Sequence, residues 1–122
     1  MRRPILIATA ALALGLAPSL PALAHALLRA ADPAVGSTIA QAPKDVSLTF
    51  SESVEPAFSR VTVTNAAGAN MGAAPLRRDP HDARRLLLPL KALAPGVYTV
   101  TWHATSTDTH RTQGRFQFTV AK

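Results

Sequence analysis

Alternation of apolar and polar residues with a period of two is the feature that most constrains the fold of this chain. Three stretches show it clearly: "DVSLTF" (45–50), "VYTVTW" (97–102) and "RFQFTV" (115–120). A shorter stretch, "RVTVT", places Val61 and Val63 in the same pattern. Successive side chains of a strand point to opposite faces, so this spacing predicts antiparallel strands with one buried and one wet face.

Turn signals such as "QAPKD", "NAAGAN", "RRDPHDA" and "LAPG" separate these stretches. Six or seven short strands in under a hundred residues predict an all-β fold, a Greek-key β-sandwich or barrel of about seven strands. "RRLLLPL" is a less regular strand, and Pro89 predicts that it lies at a sheet edge. "MGAAPL" is a candidate for a weak short strand.

The first 24 residues have the pattern of a secretory signal peptide. Arg2 and Arg3 precede an uncharged apolar run, and Ala22 and Ala24 occupy the −3 and −1 positions of a cleavage site. An uncleaved anchor is the alternative, but Gly15, Pro18 and Pro21 interrupt the run, which falls short of the ~20 residues of a bilayer span. Cleavage after Ala24 predicts a signal at 1–24 and one exported domain at 25–122.

Composition narrows the functions of the domain. The chain carries 13 Lys and Arg against 7 Asp and Glu, a net charge of +6, which becomes +4 without Arg2 and Arg3. Export, few aromatic residues and scattered arginines argue against nucleic-acid binding. The chain has no cysteine, so the fold rests on its hydrophobic core, and thiolate chemistry is excluded. We expect a soluble monomer.

Histidines and one aspartate form the candidate site. Asp108 and His110 are two positions apart, so extended backbone would project both side chains to the same side. Cleavage after Ala24 would make His25 the first residue, whose amine and ring can chelate one metal ion together. With His110 and Asp108, this gives three nitrogens and one oxygen, a set that suits tetragonal Cu(II).

The chain resembles the CopC/PcoC family of periplasmic copper-resistance proteins. The resemblance covers nearly all of 25–122 and is carried by His25 at the cleavage site, "LTFSE" (48–52), "YTVTW" (98–102) and "DTH" (108–110). It implies a cupredoxin-like, immunoglobulin-type sandwich that binds one Cu(II) per chain through His25, Asp108 and His110. Glu52 matches the family's acidic residue after the second strand, and it is either a partner that orients a ligand or an ordinary carboxylate. A CopD-type inner-membrane copper protein is the implied partner.

The methionine-rich loop of well-known family members is missing. Met71 stands alone in "GANMGAAPLRRDPHDARR", with His81 ten residues later, which is a poor set for Cu(I). His81 is expected to be a solvated loop residue and His103 an outward surface residue. Trp102 is expected to belong to the core.

Three functions from different classes compete. The leading one is a non-enzymatic periplasmic carrier or buffer for Cu(II) in copper resistance and homeostasis. The second is a copper-dependent enzyme, because a terminal histidine also forms the copper brace of polysaccharide monooxygenases; a small chain and a strong Asp108 ligand argue against it. The third is a structural sandwich without metal, in which the start at His25 is accidental.

Overall fold

The computed structural model describes residues 27–122, which form eight strands and one short 3₁₀ turn at Pro56–Phe58. The strands are β1 (Leu28–Asp32), β2 (Thr38–Ile39), β3 (Asp45–Phe50), β4 (Arg60–Thr64), β5 (Arg77–Asp79), β6 (Asp82–Pro89), β7 (Gly96–Thr105) and β8 (Arg111–Val120). Within this part of the chain, no helix is long and apolar enough to cross a membrane. The predicted signal peptide and His25 lie outside the described residues.

The strands form two four-stranded sheets. Sheet I has the order β1-β3-β6-β5, and sheet II has the order β2-β8-β7-β4. All neighbouring strands are antiparallel except the two-residue β2, which runs parallel to β8. The prediction of an all-β sandwich of antiparallel sheets is confirmed.

The alternating side chains meet between the sheets. Sheet I contributes Val46, Leu48, Phe50, Leu86 and Leu88, and sheet II contributes Val61, Val63, Tyr98, Val100, Trp102, Phe116, Phe118 and Val120. Phe50 of sheet I and Trp102 of sheet II make an edge-to-face ring contact between the sheets, with their centroids 5.2 Å apart. The inward positions predicted from the period of two are therefore correct, and Trp102 is a core residue.

One predicted strand position is wrong. The strand containing Pro89 is β6, which lies inside sheet I between β3 and β5 rather than at an edge. The Leu90 amide bonds Lys44 on the β3 side, while the Pro89 carbonyl accepts from Ala73 on the other side. The ring nitrogen of Pro89 points to the same side of β6 as the Pro89 carbonyl, the side on which β5 lies. Because β5 begins opposite Leu87, before Pro89 is reached, the missing N–H of Pro89 breaks no hydrogen bond between strands.

Short strands account for the other differences from the prediction. β1 was not predicted, because a register shift between Leu28 and Ala30 removes the period of two from its side chains. "MGAAPL" forms no strand of its own; Gly72 makes only an isolated bridge to Leu90. Arg77 and Arg78, placed in a turn by the sequence, form most of β5.

The two ends of the sandwich carry different groups. One end, called here the hairpin end, contains residues 51–54, the β5–β6 turn and the β7–β8 turn at 106–110. Met71 lies toward the opposite end, where its backbone bonds Val63 and Lys91. These two ends are separated along β6 by about 26 Å, the length of eight residues of extended chain.

Candidate metal centre

The β7–β8 turn is a three-residue hairpin loop that places the two predicted ligands side by side. The Ser106 amide bonds the His110 carbonyl at 2.9 Å, and the Thr109 amide bonds the Ser106 carbonyl at 2.9 Å. Thr109 closes the loop in the left-handed region, with φ of 74°. This is the three-residue hairpin in which a turn is followed by a left-handed residue. The expected extended backbone between Asp108 and His110 is therefore wrong.

Asp108 and His110 are nevertheless in contact. Oδ2 of Asp108 lies 3.2 Å from Nδ1 of His110, with the side chains 55% and 45% exposed. The tight turn, rather than strand alternation, brings them together, because the left-handed residue between them reverses the chain. Both groups are open to solvent and can reach an ion at the surface.

The buried Ser106 contacts both Asp108 and His110. The residue is 2% exposed, and its hydroxyl donates a hydrogen bond to Oδ1 of Asp108. The same oxygen accepts the His110 amide at 3.2 Å. One buried hydroxyl therefore fixes the carboxylate of one predicted ligand and the backbone of the other.

The surroundings keep Asp108 ionised. The hydrogen bond from the Ser106 hydroxyl lowers the pKa of Asp108 below its ordinary value, while partial desolvation acts against it. The charge and hydrogen bonds of His110 lower the pKa further. At neutral pH the turn thus offers an anionic oxygen beside an imidazole, a pair that can bind a divalent metal.

Residues 51–54 join the turn to the start of β1. Val54 forms a bridge with Ser106, and the Thr107 amide donates to the Ser53 carbonyl at 3.0 Å. Two residues earlier, Ser51 makes a reciprocal pair with Leu27: the Leu27 amide bonds the Ser51 hydroxyl at 2.9 Å, and the Ser51 amide bonds the Leu27 carbonyl at 2.8 Å. The first described residue and the turn are therefore attached to one four-residue segment.

Glu52 lies within that segment, between the contacts to Leu27 and to Thr107. Its side chain is half-buried, and it makes no hydrogen bond or ion pair with any residue of 27–122. The structure thus brings Glu52 to the same end as Asp108 and His110. Within the described part of the chain, no three His, Cys, Asp or Glu side chains cluster as a metal site. Asp108 and His110 form at most a partial site, to which His25 would have to be added.

His81 and His103 lie at exposed positions, as the sequence predicts. His103 faces outward from sheet II, and His81 is exposed in the β5–β6 turn. Met71 is partly buried and packs against the core. Because His81 and Met71 lie at the two ends of β6, the structure does not bring them together.

Sequence reasoning missed Ser106, although a signal for it exists. Trp102 and Ala104 occupy inward positions of β7, and Ser106 takes the next inward position. A polar residue at a position that alternation assigns to the core needs a hydrogen-bond partner. Its partners are the two predicted ligands.

The fold and this turn together define a class: a small two-sheet β-sandwich with a carboxylate–imidazole pair on a hairpin at one end. Comparison with known proteins narrows that class. The model of the CopC domain matches residues 28–121. The chain therefore belongs to the CopC family.

Curated relatives of this chain include copper-resistance and copper-transport proteins. The chain is 40% identical over 98 residues to protein YobA of Escherichia coli K12, covering 80% of this chain and 79% of the relative. It is 34% identical over 121 residues to copper resistance protein C of Escherichia coli, covering 93% and 94%. The copper transport protein CutJ of Bacillus subtilis is 31% identical over 101 residues, which are 81% of this chain but only 18% of CutJ.

Solved structures share the fold. CopC from Methylosinus trichosporium OB3b superposes with a TM-score of 0.74 at 32% identity, covering 80% of this chain and 94% of that chain. PcoC from Escherichia coli, described as a methionine-rich copper resistance protein, gives 0.69 at 32% identity, covering 80% and 99%. The family is one of copper-resistance and copper-transport proteins, not of enzymes, which confirms the expectation of a non-enzymatic protein.

Proposed function

We propose that the protein is an exported Cu(II) carrier or buffer that acts in the periplasm in copper resistance and homeostasis. Cleavage after Ala24 would release the domain 25–122. One Cu(II) would then be held by the amine and imidazole of His25, the ring of His110 and the carboxylate of Asp108.

The observation that carries this proposal is the attachment of Leu27 and of the turn to the same segment, 51–54. Two peptide units span at most about 7 Å. Leu27 is held at the end of the sandwich that carries Asp108 and His110, and a terminal His25 would be two residues from it.

The donor chemistry fits Cu(II). Imidazole and amine nitrogens with one carboxylate oxygen favour tetragonal Cu(II), the metal that binds most tightly in the divalent series. Nδ1 of His110 lies 3.2 Å from Oδ2 of Asp108, so the imidazole and the carboxylate are near enough to bind one ion. Asp108 retains lone pairs for the metal while it accepts a hydrogen bond from the Ser106 hydroxyl.

Glu52 has a supporting role in this proposal. Its half-buried carboxylate has no partner within residues 27–122 and lies between the contacts that position Leu27 and Thr107. A carboxylate in this place can accept a hydrogen bond from a ligand and orient it, as the outer partners of metal-bound histidines do.

A Cu(I) site is not part of the proposal. Soft thioether sulfur is the ligand that Cu(I) favours. The relative PcoC is described as methionine-rich, whereas this chain has two methionines, Met1 and Met71. Met71 and His81 lie at opposite ends of β6, so the Met71 sulfur and the His81 ring cannot bind the same Cu(I) ion.

The proposed partner is a CopD-type copper protein of the inner membrane. CutJ, whose name is copper transport protein, matches this chain over only 18% of its own length. The related domain there is one part of a much longer chain. A domain that is fused to a transport protein in one organism is expected to work with a separate counterpart in another.

The first experiment is an intact mass of the exported protein, measured under native conditions with and without one equivalent of Cu(II). We expect a chain that starts at His25 and retains one copper. An added glycine before His25 should abolish retention, since it removes the amine–imidazole chelate. A start elsewhere, or no retained copper, would instead favour a sandwich without metal.

Variants test the ligand set. His110→Ala should weaken Cu(II) binding at least a hundredfold in a competition titration. The matched control His81→Ala and the variant Met71→Leu should bind as the unsubstituted protein does. Unchanged affinity in His110→Ala would remove this ligand, and a clear loss in either control would mean that the site lies elsewhere.

A further inference from the structure

Charge is divided unequally between the two sheets. The strands of sheet I contain five arginines and four aspartates, whereas those of sheet II contain three arginines, one histidine and no acidic residue. The basic residues of sheet II are Arg60, His103, Arg111 and Arg115, and all four are exposed. The net positive charge of the domain is thus concentrated on the outer face of sheet II.

Register places these side chains close together. Arg60 pairs with His103, and His103 pairs with Gln113, so the three lie in one row across β4, β7 and β8. Arg111 and Arg115 stand two residues on either side of Gln113 on the same face. Strand spacing puts Arg60 about 10 Å from that part of β8, and Arg111 and Arg115 lie about 13 Å apart.

Three of the five arginines of sheet I have a carboxylate partner, whereas the arginines of sheet II have none within residues 27–122. On sheet I, Arg78 pairs with Glu55 at 3.2 Å, Arg85 with Asp79 at 3.3 Å, and Arg84 with Asp82 at 3.6 Å. On sheet II, Arg60, Arg111 and Arg115 form no ion pair within residues 27–122. Like charges at this spacing repel one another, and carboxylates from another molecule would relieve that repulsion.

An aromatic ring borders the same surface. Phe58 is 73% exposed, yet its turn is fixed: its carbonyl accepts the Thr105 hydroxyl at 2.7 Å, and the Ser59 hydroxyl accepts the Thr105 amide at 3.0 Å. Phe58, Arg60, His103 and Arg111 line a groove of about 630 Å³. An exposed aromatic residue on a fixed turn beside arginines has the composition of a binding hot spot.

We propose that this groove, together with Arg115, is a docking site for an extended acidic segment of a partner protein that exchanges copper with the domain. The copper exchange rests on the function proposed above; the docking itself does not. Arg111 directly follows His110, so a docked segment would lie beside the proposed metal ligands. Carboxylates four residues apart in an extended chain are about 13 Å apart, which matches Arg111 and Arg115.

Other anionic partners fit less well. A membrane surface favours several apolar anchors on one face, whereas among residues 27–122 Phe58 is the one large apolar side chain lining this concave groove. Strong nucleic-acid binding neutralises many phosphates, and the face offers three arginines. A short acidic segment with an apolar residue for Phe58 satisfies both the shape and the charge.

The experiment uses the ¹⁵N-labelled domain 25–122 and a nine-residue acetylated peptide of alternating glutamate and serine, in which one serine is replaced by leucine as the contact for Phe58. The counterpart with glutamine in place of glutamate is the control. At 20 mM salt, we expect the acidic peptide to shift the amide signals of residues 58–60, 103–105 and 111–115, and 300 mM salt to suppress the effect. Shifts centred on sheet I, no shift at 20 mM salt, or equal shifts with the glutamine peptide would overturn the proposal.

Charge-matched variants separate a specific site from net charge. The triple variant Arg60→Gln, Arg111→Gln and Arg115→Gln should weaken peptide binding at least tenfold. The control variant Lys44→Gln, Arg77→Gln and Lys91→Gln removes the same charge elsewhere and should change binding less than twofold. If both triple variants lose the same amount of peptide affinity, binding depends on net charge alone and the proposed site is wrong. Phe58→Ser should weaken binding severalfold without any change of charge.

Two further measurements distinguish the possible failures. Vesicles of phosphatidylglycerol should not sediment the domain at 100 mM salt; sedimentation with no peptide binding would assign the face to membranes instead. Cu(II) binding of the arginine variant should equal that of the unsubstituted domain. Normal copper binding without peptide binding would overturn the docking site alone, whereas peptide binding without copper binding would overturn only the metal function and the exchange.

Discussion

Thr109 offers a direct test of the turn that carries the candidate site. It is the only residue other than glycine with positive φ in the described part of the chain, and it is β-branched. The left-handed conformation costs such a residue about 1–2 kcal/mol, a cost that glycine does not have. Thr109→Gly removes this strain, but glycine also loses about 0.5–1 kcal/mol more conformational freedom on folding.

Thr107→Gly is the matched control, because it makes the same change two residues earlier in the same turn. Thr107 is exposed, has no positive φ, and keeps its amide bond to Ser53 when it becomes glycine. The glycine entropy cancels between the two variants, so their difference measures the strain at Thr109. The exposed bond from the Thr109 hydroxyl to the Asp108 carbonyl, worth about 0.5 kcal/mol, is lost only in Thr109→Gly.

The expected difference is therefore about 1 kcal/mol, with Thr109→Gly the more stable variant. For a domain of this size, this corresponds to about 4–8 °C in Tm. Urea unfolding of the metal-free domain, followed by Trp102 fluorescence, provides the free energies. If Thr109→Gly is as unstable as Thr107→Gly, or less stable, then Thr109 is not strained and the account of the turn is wrong.

Three further predictions concern the core, the turn and pH. Gly114→Ala should destabilise the domain by about 1–3 kcal/mol in urea, because the new Cβ would lie 2.6 Å from the packed Trp102 ring; an unchanged midpoint would contradict this packing. Ser106→Ala should weaken Cu(II) binding about 10–100-fold in competition titrations, since it frees the Asp108 carboxylate, and unchanged affinity would show that the hydroxyl has no part in the site. Asp79→Asn should lower Tm at pH 7: the His81 amide, and then Arg85, lower the pKa of Asp79, so its stabilisation is present above the unfolded value near 3.9 and is lost as pH falls through the folded pKa. The two Tm values should therefore converge as the pH falls below the folded pKa of Asp79, and a constant gap would assign the effect to something other than charge.

The regular strands could be predicted because their information is local. Alternation in β3, β7 and β8 identifies the inward residues directly, and these include Phe50 and Trp102, which join the two sheets. The place of β6 inside sheet I could not be predicted in this way. It depends on its pairing with β5, a strand of three residues without a hydrophobic pattern, which the sequence indicates only as part of a turn.

The candidate site shows the same limit. The sequence predicts that Asp108 and His110 lie together, but the extended backbone on which this prediction partly rested is wrong. Their contact comes from a left-handed residue that composition does not reveal. Threonine is a poor indicator of this conformation, which glycine and asparagine usually mark. The placement of Glu52 near the turn depends on bonds from Leu27 and Thr107 to residues 51–53, which are distant in sequence.

Ser106 connects the hydrophobic core to the candidate site, because it is buried at the end of β7 and bonds both candidate ligands. Alternation along β7 puts Ser106 at the last inward position, where an apolar residue would only extend the core. A buried hydroxyl there must find partners, and the nearest groups are the Asp108 carboxylate and the His110 amide. Packing of β7 therefore fixes the depth of Ser106, and Ser106 fixes the two candidate ligands relative to each other. An exposed turn gains a defined geometry in this way without a buried charge, which would have to be desolvated.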